Sequence, residues 1–182
     1  MDAITLLKDD HKTVNRLFHE FEKTGKRAQA TQRKLVAQMI RELSVHADIE
    51  ERIFYPAVIS EVEGQEATAL ESLEEHHVVK WLLSELQGRD PSDERFKAKV
   101  SVLIELVRHH VEEEEKELFP AVRRALGRKR LAEIGDALQA AKRTAPTMPH
   151  PRAPDTPPAN TVVGVLAGAV DRAREAVGNI GH

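Results

Sequence analysis

The sequence predicts an all-α fold. The expected architecture is an antiparallel up-down four-helix bundle made of two helical hairpins, followed by a short C-terminal helix and a Pro-rich tail. Three observations carry this prediction. Apolar residues recur at three- and four-residue spacing along four long stretches, the signature of helices with one buried face. Aromatic residues make up 4% of the chain against 41% hydrophobic and 31% charged, a balance that suits Leu- and Val-packed amphipathic helices better than a β-sandwich. The chain also repeats itself. His46-Ala47-Asp48-Ile49-Glu50-Glu51-Arg52-Ile53-Phe54-Tyr55-Pro56 and His110-Val111-Glu112-Glu113-Glu114-Glu115-Lys116-Glu117-Leu118-Phe119-Pro120 share the order His, three residues, Glu-Glu, two residues, an apolar residue, an aromatic and Pro.

Asp2 is the expected N-cap of the first helix, whose buried stripe is Ile4, Leu7, His11, Val14, Leu17, Phe18 and Phe21, with Gly25 as the stop. Thr31 is the expected cap of the second, with Leu35, Met39, Leu43, His46, Glu50 and Ile53 on one face. Pro56 should kink or interrupt it, because proline lacks an N–H and clashes with the preceding turn. After Gly64 the third stripe is Ala69, Leu73, His76, Val79, Leu83 and Leu86. Gly88-Arg89-Asp90-Pro91-Ser92 reads as a turn with Ser92 as the next N-cap. The fourth stripe is Phe96, Val100, Leu103, Leu106, Val107, His110, Glu114 and Leu118. This divides the chain into a bundle over 1–126, an appended short helix over 127–145 and a Pro-rich linker with a weakly structured tail over 146–182.

Each repeat is a helix bearing one His, a loop, and a helix bearing His-x-x-x-Glu. Asp10-His11 opens the first and Glu75-His76 the second; His11 to His46 is 35 residues and His76 to His110 is 34. On a helix, residues i and i+4 share a face, so each second helix aims an imidazole and a carboxylate at one point. Imidazole and carboxylate without thiolate is a ligand set for iron, manganese or zinc, and the chain has no cysteine. Counting back from the prolines settles the register. His46 and His110 lie ten before Pro56 and Pro120, and Glu50 and Glu114 lie six before them. In the third helix His76 matches His11, since both are followed by Val at +3 and Leu at +6. The predicted ligands are therefore His11, His46, Glu50, His76, His110 and Glu114. His19, His77 and His109 read as partly buried polar residues with one hydrogen bond each, and Glu112, Glu113 and Glu117 as a solvated face. Burying uncompensated carboxylates among Leu and Val is costly, and a dication offsets that cost.

These residues resemble the hemerythrin-like (HHE cation-binding) domain family over about residues 2–126. The resemblance implies a dinuclear non-haem iron centre, two iron ions with an oxo or hydroxo bridge. It would have Glu50 and Glu114 as bridging carboxylates and His11, His46, His76 and His110 as terminal ligands. Oxygen-carrying members have a further His one turn after the third-helix His, where this chain has Lys80, so the resemblance implies a more open site than a carrier's. The ligand order and Pro-rich tail look like those of actinobacterial hemerythrin-like proteins, for which peroxide- and nitric-oxide-related roles have been proposed. Small oxygen or nitrogen species are thus the expected partners, either turned over in a catalase-like or nitric-oxide-related reaction or only sensed. Tyr55 is off the ligand face of an ideal helix, and a distorted turn would be needed to bring its phenol to the site. A ferritin-type site requires Glu-x-x-His on two helices, and the sole match is Glu74-x-x-His77.

Net charge −3 with both signs interspersed gives no nucleic-acid footprint. The N-terminus lacks a basic region followed by an apolar one, and no apolar run approaches the ~20 residues of a membrane span. The expectation is a cytoplasmic protein with neither nucleic-acid nor membrane partner.

Overall fold

The computed structural model describes residues 1–25, 27–153 and 159–178; the rest of the Pro-rich stretch, 154–158, and the last four residues lie outside the described residues. The chain is all-helical. Its elements are α1 (Ala3–Glu22), α2 (Gln29–Ile49), a π-helical turn (Glu50–Phe54), α3 (Tyr55–Glu61), α4 (Glu66–Leu86), α5 (Phe96–Glu113), a second π-helical turn (Glu114–Leu118), α6 (Phe119–Lys142) and α7 (Ala159–Gly178). Among the described residues no helix is long and apolar enough to cross a membrane.

Two apolar layers organise the long helices. One gathers Ile4 and Leu7 of α1, Ile49 at the end of α2, Leu73 of α4, and Leu118 and Phe119. The other gathers Val14, Leu17 and Phe18 of α1, Met39 and Leu43 of α2, Leu83 of α4, and Leu103 and Val107 of α5. α1 and α4 run from the first layer to the second, and α2 and α5 run back. On each of these helices one histidine falls between the layers: His11, His46, His76 and His110. The heptad-like apolar spacing thus leaves a single polar stratum across the bundle.

Local chemistry moves several element boundaries from where the sequence puts them. Asp2 caps α1, accepting from the Thr5 N–H at 2.9 Å. Thr31 does not cap α2, which starts at Gln29 after Ala28 without a side-chain cap. Ser92 does not cap α5. Asp90 accepts from both its N–H and its hydroxyl, closing an Asx turn, and the helix begins at Phe96. Pro56 and Pro120 widen the helix rather than end it. Neither can donate to the carbonyl four residues back, and the ring crowds that carbonyl, so the preceding turn opens into π register and helix continues beyond. The stop expected near Gly127 is a kink inside α6, where glycine takes φ 67° and ψ 175°. The segment after the kink is no separate appendage: Leu131, Ile134 and Leu138 are buried in the same layer as Ala3 and Leu7. Gly135 permits this, since a Cβ there would run into the Met1 carbonyl oxygen.

The tail, expected to form at most a small, weak helix, carries the 20-residue α7. Asn160, Gly164, Gly168 and Asp171 face inward, on one helical stripe. The two glycines bring α7 against Asp48 and the Thr144 carbonyl. Asp171 accepts from the N–H groups of Thr147 and Met148 and from the His150 ring, fixing α7 to the segment that leads out of α6.

Candidate metal centre

The six predicted ligands meet in the polar stratum, all 5% exposed or less. His11 and His46 have ring centroids 4.9 Å apart, and His76 and His110 4.8 Å apart. The glutamates lie between these pairs. Glu50 Oε2 is 3.0 Å from His46 Nε2 and 3.5 Å from His76 Nε2. Glu114 Oε2 is 3.3 Å from His11 Nε2 and 3.6 Å from His110 Nε2. Two groups with convergent donor atoms result, His11–His46–Glu50–Glu114 and Glu50–His76–His110, with Glu50 in both.

The sequence reading missed four carboxylates. His11 Nδ1 lies 2.9 Å from Glu115, His46 Nδ1 3.5 Å from Asp10, His76 Nδ1 3.2 Å from Glu51, and His110 Nδ1 2.7 Å from Glu75. A carboxylate accepts, so it draws the ring proton to Nδ1 and leaves the Nε2 lone pair turned inward. The pattern follows the repeat. The acid before the first His of each half holds the second His of that half, and the acid after the ligand Glu holds the first His of the other half. Asp10-His11 matching Glu75-His76, and Glu50-Glu51 matching Glu114-Glu115, were the available signals.

Tyr55 also enters the site. One wide turn rotates everything after it, which brings the phenol in from the far face. Its hydroxyl donates to Glu114 Oε1 at 2.9 Å and lies 3.4 Å from His76 Nε2. Lys80 does not reach the donor atoms; it donates to Glu51 Oε2 at 2.8 Å, behind His76. His19 and His109 are exposed, and His77 accepts from the Trp81 indole on the surface.

Whether these residues suit a cation is answered by what they lack. His11 Nε2, His46 Nε2, both oxygens of Glu50 and Glu114 Oε2 are buried with no hydrogen-bond partner among the described residues. Such groups are expensive unless something else satisfies them. The electrostatics agree. Burial and the neighbouring Glu114 push Glu50 well above the usual carboxylate range. Burial lowers His46 to about 4 and takes His76 well below its ordinary value, keeping both neutral and fit to donate lone pairs. Burial would raise Glu114, but His110, His11 and His46 outweigh it and bring it to about 2. Against burial, Glu114 and Glu75 hold His110 above its usual value. Without a cation, Glu50 and His110 are the groups of the stratum driven toward their protonated forms. Neutral imidazole nitrogens and hard carboxylate oxygens fit divalent iron, manganese or zinc.

Known proteins are similar to this chain. A family model described as the hemerythrin HHE cation binding domain matches residues 2–122. The chain is 30% identical over 140 residues to a hemerythrin-like protein of Schizosaccharomyces pombe, covering 76% of this chain and 68% of that one. It is 30% identical over 142 residues to a DNA nickase of Nostoc sp., covering 78% of this chain but 39% of that protein. A crystal structure of a hemerythrin HHE cation binding domain-containing protein from Mycobacterium kansasii superposes with a TM-score of 0.66, at 22% identity, over 79% of this chain and 86% of that one. The last is a likeness of fold.

Proposed function

This chain belongs to the hemerythrin HHE cation-binding family, and from that premise we propose that its buried stratum is a di-iron centre that binds or reacts with peroxide, O₂ or nitric oxide. The observation that carries the proposal is the set of inward-turned Nε2 and carboxylate atoms, buried and without a hydrogen-bond partner among the described residues, behind four Nδ1-bound carboxylates. His11 with His46 would hold one iron and His76 with His110 the other, with Glu50 and Glu114 between. When bound, the iron pair would supply Lewis acidity and exchangeable electrons.

The chain's own residues prepare the place. Asp10, Glu51, Glu75 and Glu115 orient the imidazoles and raise their basicity. Tyr55 holds Glu114 and keeps an O–H beside the donor atoms. On the other side a void of about 20 Å³, lined by Val14, Leu43, Val79, Val107 and Val111 with the four histidines, leaves room for one small molecule. With Lys80 committed to Glu51, no further nitrogen ligand comes from α4 one turn beyond His76. A cytoplasmic setting without nucleic-acid or membrane partners belongs to the same proposal; the present net charge of −3 gives no reason to carry DNA chemistry over from the Nostoc relative.

A second reading, a sensing module without turnover, is favoured by α7. Its Asn160 side chain donates to the Glu51 main-chain carbonyl at 3.2 Å, next to the ligand Glu50, so a change at the centre has a direct route to the tail. Anaerobic ferrous reconstitution of the full chain tests both. Two irons per chain with peroxide consumption or nitric-oxide reduction supports the redox reading. Two irons without turnover supports the sensor, and one iron or none overturns the dinuclear proposal.

A further inference from the structure

We propose that small uncharged ligands reach the centre between α1 and α5, through a partition in which Val111 is the movable member. The inference rests on the small-ligand reading above and concerns how the ligand arrives. An open groove of about 630 Å³ runs along α1 and α5, with Lys12, Asn15, Arg108 and Glu112 on its rim. The inner void on the histidine side holds about 20 Å³. These two spaces share four lining residues: His11, Val14, Val107 and Val111. One layer of side chains therefore separates solvent from the void.

The cavity under α7, lined by Ser44, Asp48, Lys80 and Asn160, shares no lining residue with the inner void. The remaining surface pockets near Phe21 and Trp81 share none either.

The partition has unequal members. Val14 is 3% exposed and Val107 5%, both embedded in the apolar layer around Leu17 and Leu103. His11 is clamped by Glu115. Val111 alone is half-buried, facing the groove on one side and the void on the other. Ion pairs tie the two helices on either side of the gap, Lys8 to Glu115 and Glu22 to Arg108, so the helices are held while a valine side chain rotates. Rotamer changes of a half-exposed side chain are fast compared with helix motion. Three valines offer no hydrogen bond to a passing solute. An ion or a strongly hydrated molecule would have to shed its water there uncompensated, whereas a neutral diatomic has little hydration to lose.

Two measurements on the full chain test the route. The first uses the zinc-loaded protein carrying Val79→Ala, which widens the inner void so that xenon fits; the probe is dissolved xenon and the readout its exchange rate by ¹²⁹Xe NMR. Adding Val111→Phe should slow exchange roughly tenfold, the effect of about 1.4 kcal/mol of added barrier. Val111→Ala should speed it, and Val102→Phe on the outer face of α5 should not change it. The second measures nitric oxide association and dissociation on the reduced iron-loaded protein. Val111→Phe should slow both association and dissociation and Val111→Ala should speed both, whereas a residue that only contacts the bound ligand changes dissociation and leaves association as it was. Xenon exchange indifferent to Val111, or no xenon in the widened void, overturns the route. Exchange that follows Val111 in a protein whose iron form binds no nitric oxide or O₂ keeps the route and overturns the proposed function.

Discussion

Tyr55 and Phe119 hold the same place in the two halves, one residue before Pro56 and Pro120. Each packs on the first histidine of the opposite half: Tyr55 lies 5.5 Å from the His76 ring and Phe119 stacks on His11 at 5.7 Å. Only Tyr55 carries a hydroxyl. Glu114 therefore has a hydrogen-bond donor on one oxygen, while both oxygens of Glu50 have none among the described residues. The two carboxylates, identical by repeat, differ in charge as a result of their surroundings. Glu114 is held low by cationic and hydrogen-bonding neighbours despite burial, and Glu50 is driven up by burial and by Glu114 itself. A duplicated skeleton need not give a symmetric site: against burial, His110, His11 and His46 hold Glu114 low, while burial and Glu114 drive Glu50 up.

The largest effects should come from removing members of the shared stratum. His110→Ala or Glu114→Ala should strip iron from the reconstituted protein, whereas His109→Ala and Glu113→Ala should leave the metal content intact. Metal analysis after gel filtration decides it, and the reverse outcome would break the alignment between the halves. Asp10→Asn and Glu75→Gln, which hold equivalent histidines, should each weaken metal affinity by about 10–100-fold. Unequal losses would show that the asymmetry extends behind the ligands.

The convergence of the six candidate ligands was legible because their signal is local: an i,i+4 pair and a fixed distance to a proline need no knowledge of the partner helix. The four outer carboxylates were not. Glu115 stands in a run with Glu112, Glu113 and Glu117, where its match to Glu51 is the one sequence signal, and the packing of α1 against the second π turn decides that it meets His11. Tyr55 was hidden because an ideal 100° step per residue turns it away, and the π turn that restores it is a response to Pro56. The helix starts at Gln29 and Phe96 escaped because Thr31 and Ser92 are good caps in the abstract. At the second, Asp90 captures the serine first. The layered core, by contrast, follows directly from apolar spacing, since burial of Leu and Val dominates its energetics.

pH should separate the two glutamates in the metal-free protein. The folded value of Glu114 lies below its ordinary 4.5, at about 2. Its contribution to stability is present above 4.5 and is lost as pH falls through about 2. Glu50 is raised, so the folded form binds a proton that the unfolded chain releases above 4.5. Its contribution is present below 4.5 and lost as pH rises through its raised value. Metal must displace that proton, so the gain in Tm on loading should grow from about pH 5 to 8. In the metal-free protein Glu50→Gln should remove the fall in Tm that accompanies rising pH above 4.5. If Glu114→Gln removes that fall instead, the assignment of the two carboxylates is inverted.

The hydroxyl can be moved. Tyr55→Phe should leave the fold intact and cost about 1.5–3 kcal/mol in the metal-free protein, the range for a hydrogen bond to a charged partner. Phe119→Tyr would offer a hydroxyl to the opposite side, and in the Tyr55→Phe background it should restore part of the loss. Chemical denaturation at fixed pH measures both. No loss in Tyr55→Phe would mean the phenol is packing alone.

The smallest expected effect lies at the edge of the comparison, where α7 meets the first π turn. In that turn the Tyr55 N–H bonds to Glu50, and the next donor in π register would be residue 56, which is proline. Proline cannot supply that donor, and Asn160 donates to the Glu51 carbonyl from α7 at 3.2 Å. Removing that amide should cost about 1 kcal/mol, or about 2–4 °C in Tm for a chain of this size. Asn160→Ala should show this shift with metal content unchanged, because the carbonyl is not a ligand. Truncation after Thr144 removes the same bond together with the glycine-mediated docking of Gly164 and Gly168 and the Asp171 ties, so it should lower Tm further. It should still leave the metal content of the reconstituted protein unchanged, since every candidate ligand and every Nδ1-bound carboxylate lies before residue 116. If truncation released iron while Asn160→Ala did not, the covering of Lys80 and Glu51 by α7, and not the single hydrogen bond, would be what keeps His76 in place.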